Sequence, residues 1–201
     1  MWDYEKRLQY PVNISKPNAK LAQYIISQYG GPDGELGASI RYLSQRYATP
    51  YREVAGLLTD IGTEELGHFE MVGTIVHQLT RNLSMEEIED SGFGPYYIDH
   101  TLGIWPQAAG GVPFNANQFQ SKGDVITDLT EDLAAEQKAR STYDNILRVV
   151  KDPEVADPIR FLRQREIIHF QRFGEALRRV QEDLDPKNFY QYNPDFDRCK
   201  K

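Results

Sequence analysis

Six residues of this chain are of the kinds that bind hard metal ions, and they recur in a fixed order: Glu35, Glu65 and His68, then Glu136, Glu166 and His169. In each set a lone glutamate is followed 30 residues later by a second glutamate, with a histidine three positions beyond it. The second set repeats the first 101 residues on, member for member. Residues three apart share one face of an α-helix, so each E-x-x-H offers a carboxylate and an imidazole to one point, and the lone glutamate on a preceding helix completes a half-site. Carboxylate oxygens and imidazole nitrogens accept manganese or iron as the divalent or the trivalent ion. Two such ions side by side could take up and return two electrons.

The elements that must carry these residues follow from apolar phase. A proline-free helix is predicted over about 51–80, where Leu58, Ile61, Glu65, His68, Val72, Ile75 and Leu79 form one stripe. A last helix over about 158–182 repeats it as Ile159, Leu162, Glu166, His169, Phe173, Ala176 and Val180, with Asp157 as N-cap and Pro158 at the first position. Between them, a helix over about 124–150 puts Glu136 in phase with Leu129, Leu133, Tyr143, Leu147 and Val150. Charged groups on apolar stripes need a cation, a hydrogen-bond network or a raised pKa, and a metal satisfies these five together. Helices over about 18–29 and 35–47 precede, separated by Gly30-Gly31-Pro32-Asp33-Gly34. Residues 81–123, rich in glycine and proline, make a long crossover rather than a bundle helix. The expected fold is all-α, a ferritin-like four-helix bundle with one long crossover, which is the frame of di-iron and di-manganese carboxylate sites. The ends, about 1–17 and 186–201, lack a sustained period and are expected to be extended, aromatic arms on one domain spanning 1–201.

Composition excludes several classes. A net charge of −7 leaves no basic surface for a nucleic-acid backbone. No apolar run is long enough to span a membrane, and the first residues, with Asp3, Glu5, Lys6 and Arg7, are no export signal. The one cysteine, Cys199, makes no internal disulfide and suits a reducing compartment. Other polar residues have plainer readings. His77 and His100 are expected to be structural or exposed, and Gly62 and Gly67 to serve close helix packing. Arg140 is read either as a partner of a site carboxylate or as a surface residue, and Tyr24, Tyr42 and Tyr143 stand at core-like spacing.

Longer stretches carry a resemblance: PNAKLAQYIISQYGGPDGELGASIRYLSQRY over 17–47, TEELGHFEMV over 63–72, GVPFNANQFQSKGDVITDLTEDLAAEQKAR over 111–140, and Glu166 to His169. On these the chain resembles the non-haem manganese catalases, especially their shorter spore-coat relatives of the CotJC type. The resemblance implies two manganese ions per subunit, with iron the alternative occupant, and hydrogen peroxide disproportionated to water and oxygen. It implies Glu35, Glu65, His68, Glu136 and His169 as direct ligands, with Glu65 bridging. It further implies a homo-oligomer, a hexamer in the full enzymes, and a cytoplasmic protein assembled into the spore coat beside other coat proteins. The full enzymes are longer, and their C-terminal region wraps neighbouring subunits and helps to bind calcium, so neither feature is carried over.

Two other functions use the same fold: a structural coat protein whose metal site is stabilising or vestigial, and a di-iron oxidase or ferritin-like iron protein. Retention of all six residues favours the enzyme or the iron protein. Glu166 is the open position. In manganese catalases its counterpart stands beside the metal-bound solvent, whereas in di-iron relatives it would bridge. Four glutamates already balance two divalent cations, and peroxide reduction consumes protons, so Glu166 is expected to act as acid and base.

Overall fold

The computed structural model describes residues 7–184; the expected C-terminal arm over 186–201, Cys199 and the first six residues lie outside them. The elements are α1 (Ala19–Ile25), α2 (Ser27–Gly30), α3 (Glu35–Gln45), α4 (Arg52–Thr80), α5 (Met85–Ser91), α6 (Gly94–His100), a 3₁₀ turn (Ala116–Gln118), α7 (Val125–Val149) and α8 (Pro153–Leu184). Among the described residues the one β pairing is an isolated bridge between Gln107 and Pro113. The bundle is the broken first helix α1–α3 with α4, α7 and α8, and α3 packs on α4 as α7 packs on α8. This is the all-α, ferritin-like four-helix bundle expected.

Two local features differ from the sequence expectation. The helix expected over 18–29 is capped by the Asn18 side chain on Leu21 N at 3.0 Å but breaks at Ile26, where Tyr29 N bonds back to Ile26 O at 2.9 Å in a tighter turn. The break keeps Ile25 and Ile26 both in the core. A second difference lies at α8, which begins at Pro153, so Pro158 is inside the helix rather than at its start. Asp152 is the cap: its Oδ1 accepts from Glu154 N at 3.0 Å, and its carbonyl from Ala156 N at 2.9 Å. Pro158 forfeits one backbone hydrogen bond, and burial of Val155, Ala156, Pro158 and Ile159 outweighs it. The described part of the N-terminal arm has no helix or strand and lies on its own bundle. Ile14 N donates to Gln78 Oε1 at 2.7 Å, Gln78 Nε2 donates to Val12 O at 2.9 Å, and Val12 and Ile14 are buried.

Residues 81–123 form the expected crossover, with α5 and α6 as short surface helices. The crossover is pinned at Gly30, where a Cβ would stand 2.3 Å from the Pro106 carbonyl carbon, so only glycine admits that approach. Gly62 serves packing in the same way, its missing Cβ leaving room for the Leu43 side chain at 2.9 Å; Gly67 has nothing closer than Gln9 at 3.9 Å. The apolar core falls into two clusters. One contains Ile25, Val72, Ile75, Tyr143, Ile159 and Leu162, the other Ala38, Tyr42, Leu58, Ile61, Leu129 and Phe173. The polar layer lies between them.

Candidate metal centre

Glu35 opens α3, with Gly34 as its cap, so its carboxylate sits at the positive end of that helix. Glu65 and His68 lie mid-way along α4, Glu136 in α7, and Glu166 and His169 in α8. All six are 0–1% exposed. Their ligand atoms fall into two groups, each within 4.8 Å of one another: Glu35, Glu65, His68 and Glu166, and Glu65, Glu136, Glu166 and His169. The groups share Glu65 and Glu166. Glu65 reaches both histidines, Oε2 standing 2.6 Å from His68 Nδ1 and Oε1 2.8 Å from His169 Nδ1. Glu35 Oε2 lies 3.9 Å from His68 Nδ1, and Glu136 Oε2 lies 3.6 Å from His169 Nδ1.

Two tyrosines and one acid complete the arrangement. Tyr42 OH donates to Glu136 Oε1, and Tyr143 OH donates to Glu35 Oε1. The outer face of both imidazoles meets Glu64, with Oε2 3.1 Å from His169 Nε2 and Oε1 3.5 Å from His68 Nε2. Arg165 holds Glu64 in turn, Nε to Oε1 at 2.7 Å and Nη2 to Oε2 at 3.1 Å. Glu64, Arg165 and the tyrosine–glutamate pairs were not anticipated from the sequence as part of the site. A signal was present: Tyr42 and Tyr143 are themselves 101 residues apart, as are Glu64 and Arg165. The remaining candidates lie elsewhere. His77 is exposed, His100 stacks on Trp105, and Arg140 turns to Gln137 and Asp144.

The donor set fits a pair of cations. Glu65 Oε1, Glu136 Oε2, Glu166 Oε1 and His169 Nδ1 are buried without a hydrogen-bond partner, although Glu65 Oε1 and His169 Nδ1 are only 2.8 Å apart. Such orphaned lone pairs, turned toward one another, are rare in native interiors unless an ion or water lies between them. Protonation shows the same strain. Burial, reinforced by mutual repulsion, raises Glu35 and Glu166 well above the usual carboxylate range, and burial raises Glu136. Burial alone would raise Glu65 and depress His68, but their attraction wins: Glu65 is held well below the usual range, with His169 the larger contributor, and His68 is pushed up to about 9. Divalent cations on the Nδ1 side would replace those protons and leave each Nε2–H to Glu64.

The family described as "Manganese containing catalase" matches residues 1–193. The chain belongs to the manganese catalase family. Among curated relatives it is 50% identical over 190 residues to protein CotJC of Bacillus subtilis strain 168, covering 94% of this chain and 100% of that one. It is 33% identical over 191 residues to a probable manganese catalase of Clostridium acetobutylicum, covering 94% and 85%. Among solved structures, KatB, a manganese catalase from Anabaena, superposes with a TM-score of 0.85 at 31% identity over 92% of this chain and 84% of that one. The manganese catalase fold and a buried glutamate–histidine cluster consistent with two metals thus occur together here.

Proposed function

We propose that this chain is a di-manganese catalase that disproportionates hydrogen peroxide to water and oxygen. The observation that carries the reading is that two buried glutamate–histidine groups share Glu65 and Glu166. Glu35 and His68 would hold one ion, Glu136 and His169 the other, and Glu65 would bridge them. Bound there, two manganese ions supply a two-electron couple without free radicals. The chain's own part is to fix and insulate them. Tyr42 and Tyr143 hold the outer oxygens of Glu136 and Glu35, Glu64 bonds the His169 imidazole and stands 3.5 Å from that of His68, and the two apolar clusters exclude bulk water. Glu166, whose Oε1 has no partner, is the group placed to hold and release a proton.

The same donors would accept iron, so the metal is part of the proposal. The resemblance to the coat-type relatives supports a homo-oligomer assembled into the spore coat. Exposed Tyr47, Ile98, Leu102 and Trp105 give such an assembly apolar surface to cover. Among the described residues no helix is long and apolar enough to cross a membrane. The test is metal analysis and oxygen evolution from added peroxide on one preparation. Two manganese per chain with rapid oxygen release is the expected result. An empty site after expression with ample manganese refutes the reading in favour of a structural coat protein.

A further inference from the structure

A second buried polar cluster lies one helical turn from the centre, on residues that metal binding does not use. Asp128, Asp132 and Glu136 follow at four-residue spacing along α7 and share its inner face. Arg41 and Gln45 stand at the same spacing on α3. Arg41 and Gln45 are 1% exposed and Asp132 is 0%. Yet neither oxygen of Asp132 has a hydrogen-bond partner, nor does Gln45 Oε1, nor do Nε and Nη2 of Arg41. The carboxylate paired with Arg41, that of Glu131, stands 3.9 Å from Nη2, beyond hydrogen-bond reach.

Gln45, Thr49, Gly123, Asp128 and Asp132 line a cavity of about 10 Å³ here, the room of a single water. The Arg41 charge, which already acts on Asp132, opposes a cation, and Asp128 already spends its oxygens on the amides of Lys122 and Gly123 at 2.8 and 3.0 Å. An anion would face Asp132. Water can donate to both Asp132 and Gln45 Oε1, the two lining groups whose oxygens have no partner. The internal repeat offers a comparison within the molecule: the positions matching Arg41, Gln45 and Asp132 in the other half are Thr142, Ile146 and Gly31. Ile146 belongs to the apolar core. The polar cluster therefore adjoins the Glu136 half alone.

We propose that Gln45 and Asp132 hold a buried water, and that Asp132 uses it to pass protons between the Gly123 end of the bundle and the Glu136 half of the centre. The proposal rests on the catalase reading. Oxidation of one peroxide to oxygen releases two protons and two electrons, and reduction of a second to two waters consumes the same number. Protons must be stored between the half-reactions. A proton that arrives at the water is matched by one that the water gives to the Asp132 carboxylate, and the reverse transfer returns it, so only O–H bonds are made and broken. Burial raises the Asp132 carboxyl well above its usual range while Gln45 and Arg41 pull it back, which suits a group that exchanges a proton. Asp132 acts through water and does not touch peroxide.

The experiment joins diffraction to kinetics on the manganese-loaded protein. A high-resolution crystal structure should show a water within hydrogen-bond distance of Asp132 and Gln45, absent from Gln45→Leu. Asp132→Asn keeps the side-chain shape and both ions, and oxygen evolution falls at least about tenfold with a larger solvent deuterium isotope effect; Asp132→Glu restores part of both. A dry cavity overturns the water site, and an Asp132→Asn protein with unchanged rate and isotope effect overturns the relay. A wild-type protein that binds both ions and releases no oxygen refutes the catalase reading and the relay together, while diffraction still decides the water.

Discussion

Glu64 and Arg165 occupy the same position of the internal repeat, 101 residues apart, and pair with each other through two hydrogen bonds of 2.7 and 3.1 Å. Among the ligands and the tyrosines that hold them the repeat is symmetric: glutamate matches glutamate, histidine matches histidine and tyrosine matches tyrosine. At this one position it carries opposite charges, so a near two-fold arrangement yields a single carboxylate between both imidazoles. Partners of this kind fix which ring nitrogen is free for a metal, and losing them costs about 10- to 100-fold in metal affinity. Glu64→Ala is expected to weaken manganese binding by about that factor while keeping the helical fold, as read by chelator competition and circular dichroism. Arg165→Met, which leaves Glu64 in place, should cost less. Equal affinity in Glu64→Ala and wild type would show that the histidines are oriented without it.

The two tyrosine hydroxyls are predicted to be equivalent in stability. Each donates to the outer oxygen of one buried glutamate, and hydrogen bonds to charged groups contribute about 1.5–3 kcal/mol. Tyr42→Phe and Tyr143→Phe should each lower the melting temperature of the metal-loaded protein by about 4–8 °C, by differential scanning calorimetry. A double variant that loses no more than either single one would mean that the two halves are not independent.

Stability of the metal-free protein should fall as pH rises above about 6. His68, raised from 6.5 to about 9, stabilises the fold fully below 6.5 and loses that contribution as pH climbs through 9. Glu35 and Glu166, raised above their usual 4.5, keep protons in the folded state that the unfolded chain has released, so they act in the same direction. Glu64 and Glu65 act oppositely: both are lowered from 4.5, and their contribution disappears as pH falls below that value. The metal-free melting temperature is expected to peak near about pH 5–6 and decline toward pH 9. Manganese displaces the protons, so the loaded protein should lose the alkaline decline. Parallel melts with and without manganese check this, and identical profiles would show that the cluster does not exchange protons for metal.

Much of this was legible in the sequence because burial enforces phase. Glu65, His68, Glu166 and His169 stood out by interrupting stripes that are otherwise Leu, Ile, Val and Phe, and a helix periodic at 3.6 residues must turn such positions inward. Glu64 and Arg165 lie just off those stripes, where a charge ordinarily means a solvated face, and their pairing depends on how α4 meets α8. Asp132 escaped for a related reason: it falls between Leu129 and Leu133, and its burial is decided by α3 across the interface. The start of α8 was misplaced because Asp157-Pro158 is a good helix opening in isolation, and the core's demand for Val155 and Ala156 overrode it.

Glu166 poses the sharpest question of the centre, because it belongs to both groups of ligand atoms and yet one of its oxygens has no partner. If it ligates, four carboxylates neutralise two divalent ions and no acid beside the ions is left to donate directly to peroxide. If it stands beside the ions, its raised affinity for protons, caused first by burial and then by Glu35 and Glu136, makes it the store for that proton. The second arrangement predicts that Glu166→Gln retains both manganese ions and loses turnover by about 10²–10⁴-fold, the usual worth of a general acid and base. Glu65→Gln and His169→Ala should instead lose metal along with activity, since each supplies a donor that the remaining groups cannot replace. Metal content and oxygen evolution measured on the same preparations separate the cases. An ion missing from Glu166→Gln would make Glu166 a structural ligand, and full turnover with both ions present would leave it no part in the chemistry.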